Sequence, residues 1–158
     1  MTNELKKQFT LRITRANKSE LTVILFDMYS TYVDEIEVAF GSNKRKDFRE
    51  GIRRARACVS ELMTSLNFDY EVSFNLLSLY SYVNRELTIA DIRYNIENVN
   101  HTVSVMNKLA ESFKEVHETD DSEPLMANTQ TIYAGLTYGK NDLNEDTLNS
   151  GLNRGLLI

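Results

Sequence analysis

His101 and His117 are the only histidines in the 158-residue chain and Cys58 is its only cysteine, so metal, general-base and thiol chemistry have few places to begin. Neither histidine lies in a His-Glu-x-x-His or Glu-x-x-His arrangement, and Glu115 and Glu118 flank His117 at the wrong spacings for a carboxylate-bridged metal bundle. No metal site is expected. Cys58 lies beside an apolar helical stripe with no nearby histidine or helix N-terminus to lower its pKa, and reads as a small buried hydrophobe. There is no glycine-rich phosphate loop, and Gly51 stands alone. The residues offer no catalytic constellation and need no cofactor, so the expected function is not enzymatic.

One basic run needs its own account. Lys44, Arg45, Lys46, Arg49, Arg53, Arg54 and Arg56 put seven bases into thirteen residues, a density found on nucleic-acid and acidic-protein surfaces. At helical spacing Arg49, Arg53 and Arg56 share a flank but Arg54 lies across the helix. Asp47 and Glu50 interrupt the run, and no aromatics are interleaved for base stacking. The run reads as a solvated helix face, with no nucleic-acid partner.

Positioning falls to helices. Composition is that of one ordinary globular domain, 42% hydrophobic and 26% charged. No stretch approaches the roughly 20 apolar residues of a membrane span. The start, MTNELKKQFTLRITR, lacks the apolar core and small-residue cleavage site of a signal peptide, so a cytoplasmic location without membrane insertion is expected. A lone cysteine allows no internal disulfide, in keeping with a reducing compartment. Pro124 and four of the six glycines follow Glu118, and six acids there face only Lys140 and Arg154, which divides the chain into a body, 1–118, and an acidic, glycine-bearing tail, 119–158.

The first helix opens at Asn17, with Glu20 completing a capping box, and runs to about Phe40 before Gly41. The second, from Ser42 or Asn43, carries Phe48, Ile52, Ala55, Val59, Leu62, Met63 and Leu66 in one stripe. The third, Tyr70 to about Asp91, buries Val72, Leu76, Leu79, Tyr80, Val83, Leu87 and Ala90. The fourth, from near Asn95 to Glu118, turns Ile96, Val99, Val103, Met106, Leu109, Ala110, Phe113 and Val116 inward. With no competing β-period and loops of a few residues, the expected fold is all-α: an antiparallel up-down four-helix bundle with an N-terminal extension and a flexible C-terminal tail.

Two of these helices have more apolar surface than a bundle position uses. In LTVILFDMYSTYV the apolar arc runs from Ile24 to Phe26 over roughly 200°, whereas a surface helix needs only a little over 100°. The third helix repeats the excess, with Tyr70, Phe74 and Leu77 at i, i+4 and i+7 away from its main stripe and Tyr82 and Ile89 further round. Such seams are covered by something for at least part of the time: a partner, a second copy in a homodimer, or the segment before Asn17, whose Leu5, Phe9, Leu11 and Ile13 alternate with polar residues.

Three stretches in order, ANKSELTVILFDMYSTYV, ACVSELMTSLNFDYEVSFNLLSLYSYVNREL and ADIRYNIENVNHTVSVMNKLAESFKEV, resemble the flagellar export chaperone family usually called FliS. Its blocks are Glu-Leu-(x)3-Leu-Tyr-Asp, Ser/Glu-Leu-(x)3-Leu-Asn and Leu-Tyr-x-Tyr-(x)2-Arg-x-Leu. Glu20, Leu21, Leu25, Phe26 and Asp27 match the first with Phe for Tyr. Glu61, Leu62, Leu66 and Asn67 match the second, and Leu79, Tyr80, Tyr82, Asn84, Arg85 and Leu87 the third. The resemblance covers about residues 13–118. Asn17-Lys18 replaces the family's Ser-Pro, Met28-Tyr29 replaces its Gly-Ala, and Gln8-Phe9 is a distant echo of its Tyr-Gln motif.

The resemblance implies a cytoplasmic chaperone that binds the disordered C-terminal segment of flagellin, prevents early polymerisation and assists delivery to the flagellar export apparatus. It implies that flagellin covers the far half of the first helix's arc, with Phe26, Tyr29 and Val33, and the extra seam of the third, with Tyr70, Phe74, Leu77 and Tyr82. In the free protein the N-terminal segment is expected to cover part of the first helix's arc. The alternative is a bundle-forming adaptor or homodimeric scaffold unrelated to flagella. In the tail, the clusters IYAGLTYG and LNSGLNRGLLI read as docking points, with Leu148 to Ile158 expected to compete with flagellin for its groove.

Overall fold

The computed structural model describes residues 1–126; residues 127–158, with both tail clusters, lie outside the described residues. Five helices and no strand occur among the described residues: α1 Asn3–Arg15, α2 Lys18–Gly41, α3 Arg45–Thr64, α4 Val72–Arg93 and α5 Ile96–Glu118. The all-α expectation holds, but the N-terminal extension is itself a helix. Leu5, Phe9 and Ile13 recur every four residues, a helical stripe that alternation with Leu11 conceals; Leu11 lies off it and is exposed. No helix among the described residues is long and apolar enough to cross a membrane.

Local chemistry sets the boundaries. The Thr2 hydroxyl caps α1 by accepting the Leu5 N–H, and Asn95 Oδ1 caps α5 by accepting that of Glu97. At α2 the Asn17 Oδ1 accepts the Glu20 N–H at 2.9 Å, half of the expected capping box; the Glu20 carboxylate turns instead to Arg12 and His117. Gly41 is the last residue of α2 without supplying the left-handed turn. Asn43 does so at φ 53°, and Tyr94 does so after α4 at φ 52°. The Tyr94 ring is held there by Phe48 and Phe40, at centroid distances of 4.9 and 5.2 Å.

Helices α2 to α5 close a ring in which α2 meets α3 and α5, α4 meets α3 and α5, and α1 lies chiefly on α2. Neighbours run antiparallel. Along α3 and α4, Arg49 bonds Asp91 while the later Arg56 bonds the earlier Asn84. Along α2 and α5, Phe26 meets Phe113 while Tyr29 meets Thr102. Ile36, Phe48, Ile52, Leu62, Leu87 and Met106 fill the centre. Gly51 lets α2 and α3 approach there, since a Cβ on it would sit 2.6 Å from Ile36 Cγ1.

The width of the α2 arc follows from its three neighbours. Leu21, Ile24 and Met28 pack under α1, while Phe26, Tyr29, Val33 and Ile36 join the core of the ring. Three expected core positions turn out exposed. Val72 lies in the first turn of α4 at the open end of the ring, Leu79 lies at the edge of its stripe, and Val116 lies in the last turns of α5.

Candidate partner-binding surface

The connection from α3 to α4 is polar in its bonding and apolar in what it displays. The Asn67 side chain folds over to accept the Asp69 N–H, and the buried Ser73 hydroxyl donates to the Asn67 carbonyl at 2.5 Å, so the turn is fastened from both sides. On this fixed turn Phe68 and Tyr70 are 48 and 64% exposed, and in the first turn of α4 Val72 and Phe74 are 58 and 55% exposed. The Phe68 and Phe74 rings pack on one another at 5.4 Å, a preformed aromatic step in contact with water. Beside it Leu66, Tyr70, Val72, Leu76, Tyr80 and Phe113 line a shallow cleft at the end of the ring, with Lys18 and Thr22 at its edge. Full burial of side chains of this size is worth about 1.5–3 kcal/mol each, so the free chain forgoes a sizeable stabilisation here.

The residues expected to bind a partner divide accordingly. Tyr70 and Phe74 are exposed and Leu77 is half-buried beside them. Phe26, Tyr29 and Val33 are walls of the core, and in this conformation they present no surface to a partner. Tyr29 donates to the Thr102 hydroxyl at 2.5 Å, and burial pushes its phenol up to about 12. Tyr82 is half-buried and lies under the Arg85 guanidinium, 140° around the helix from Leu77 and away from the cluster. Sequence reasoning missed Phe68 and placed Val72 inside. The usable signal for Phe68 was a large aromatic between two turn-forming residues, Asn67 and Asp69.

The opposite edge of α2 is strapped by α1. Phe9 is buried, and Leu5 and Ile13 lie half-buried against Leu21, Ile24 and Met28. Arg12 ties the strap down, reaching Glu20 at 2.9 Å and Asp27 at 2.7 Å, and the amino terminus of Met1 pairs with Glu35. From α5, His117 Nε2 meets the same Glu20 at 2.6 Å, and Lys114 stands 3.7 Å from Asp27. Residues beyond α5 return to this junction: the Asn17 amide donates to the carbonyls of Asp120 and Ser122, and the Leu125 N–H donates to the Ala16 carbonyl. The strap therefore combines a small apolar contact with a cluster of ion pairs on a partly solvated surface.

Elsewhere the chemistry is structural. Burial pushes the Cys58 thiol up to about 11, which leaves it a poor nucleophile at neutral pH. Among the described residues no three His, Cys, Asp or Glu side chains gather as a metal site.

The family model described as flagellar protein FliS matches residues 1–120 of the chain. Among curated proteins none matches.

Proposed function

The chain belongs to the FliS family of flagellar proteins, and on that premise we propose that this flagellar export chaperone works in the cytoplasm on the C-terminal segment of flagellin. Residues 1–118 form its binding domain. The supporting observation is the cluster of Phe68 and Tyr70 on the fastened α3–α4 turn and Val72 and Phe74 in the first turn of α4, with Leu77 continuing it along the helix. Holding an unfolded segment requires no reacting group. It requires rigid apolar surface, because a disordered chain that lays amphipathic helices into such surface offsets its ordering cost with buried area. Segments captured in this way are withheld from polymerisation until the export apparatus takes them.

The strap α1 supports a second element of the reading. It covers Leu21, Ile24 and Met28, apolar surface that extends the docking area once α1 moves aside. Titrating the C-terminal segment of flagellin into the full chain by calorimetry tests the reading. Saturable binding with a negative heat-capacity change, the mark of apolar burial, is expected. Absence of binding contradicts it.

A further inference from the structure

Two stripes face one another across the seam between α3 and α4. On α3, Arg45, Arg49, Arg53, Arg56, Ser60 and Thr64 follow at steps of three or four residues, and on α4 so do Phe74, Leu77, Ser81, Asn84, Thr88 and Asp91. The Arg49–Asp91 bond at 2.9 Å and the Arg56–Asn84 bond at 2.7 Å show that these stripes border the same seam. Because the helices are antiparallel, the seam has two unlike halves. Phe74 and Leu77 lie toward uncharged Ser60 and Thr64, with Phe68 packed on Phe74. The other half is basic.

That basic half is under-compensated. Asp91 is the only acid on either stripe and is held by Arg49, while Glu50 on the flank accepts from Arg53 at both oxygens, at 2.8 and 2.7 Å, and is shared with Arg54, so four stripe arginines face two carboxylates. Arg56 bonds a neutral amide, Arg45 lies over the Tyr94 ring at 5.2 Å, and Arg85 lies over Tyr82 with Glu86 3.9 Å away. The side chains of Arg49 and Arg53 are 65 and 72% exposed. On a chain with a net charge of −5, an exposed basic stripe continuous with an exposed aromatic cluster is matched by a ligand that is apolar at one end and acidic at the other.

We propose that the α3–α4 seam takes an acidic amphipathic helix, with apolar side chains seated on Phe68, Phe74 and Leu77 and carboxylates along Arg49, Arg53 and Arg56. The helix lies along α4, and its carboxylates begin roughly two turns from its apolar anchors, the distance from Leu77 to Asn84 at 1.5 Å per residue. This rests on the flagellin reading and makes the acidic helix part of the flagellin C-terminal segment.

The test is titration of that segment into the full chain and into Arg53→Glu/Arg56→Glu at 50 and 300 mM salt, with circular dichroism melts of each. Affinity of the native chain is expected to fall as salt rises, and the double reversal to weaken binding about tenfold at low salt and flatten the salt dependence. Arg53→Gln/Arg56→Gln, which leaves Glu50 facing no new carboxylate, acts in the same direction with smaller size. Binding by the native chain with unchanged affinity and salt slope in both variants overturns the acidic helix and leaves the flagellin reading standing. Failure of the native chain to bind removes both. Loss of phosphatidylglycerol-vesicle binding in the variants, with segment affinity unmoved, assigns the stripe to a membrane surface and likewise overturns the proposal.

Discussion

Tyr29 and Phe74 are both aromatic residues on helices with surplus apolar surface, and their environments could hardly differ more. Tyr29 is 3% exposed and donates to the hydroxyl of the buried Thr102, whose own proton goes to the Val99 carbonyl; Phe74 stands more than half in water. Tyr29→Phe is therefore expected to cost about 1 kcal/mol, the net worth of a hydrogen bond, with flagellin affinity unchanged. Urea unfolding and the flagellin titration measure the two effects, and lost affinity with intact stability would return Tyr29 to the binding surface. Position on the helix could not separate these residues beforehand. The offset of Tyr70, Phe74 and Leu77 from the α4 stripe marked them as surplus, but the same argument applied to Phe26, Tyr29 and Val33 counted too few neighbours for α2. Burial is a property of what packs opposite, and for α2 that includes a helix that the spacing of Leu5, Phe9, Leu11 and Ile13 did not disclose.

At the scale of elements, the four ring helices were legible because their signals are local: Asn17 and Asn95 as caps, and the Phe48 to Leu62 stripe for α3. The α3–α4 turn was legible only as a break, because its bonding depends on Ser73 reaching back six residues to the Asn67 carbonyl. Gly51 gave no such signal. It looked incidental in sequence and proves to be a point of close approach between α3 and α2, against the side chain of Ile36. Gly51→Ala gains up to about 1 kcal/mol in helix propensity. It also overpacks a filled core at a typical cost of 1–3 kcal/mol, about equal or larger. A lower melting temperature is expected by calorimetric scan, and a higher one would mean that the two helices separate without cost.

Across the described residues, a ring of four helices carries one fixed apolar surface at the α3–α4 turn and one covered by α1. Deleting residues 1–14 removes Phe9, Ile13 and the Arg12 clamp on Glu20 and Asp27. Because a covered site reduces apparent affinity by the fraction of time it is closed, the deletion is expected to tighten flagellin binding by about tenfold, at the cost of a stickier free protein by light scattering. Weaker binding would make α1 part of the site. The most direct measurement concerns the surface that is already open: Phe74→Asp, compared with the native chain by flagellin titration and thermal melting. A charge in water costs the free fold little but must lose its hydration under a bound helix, so affinity is expected to fall by about tenfold or more with the melting temperature nearly unchanged. Unchanged affinity, or a fold that melts much earlier, would contradict the assignment of this cluster as the flagellin-binding surface.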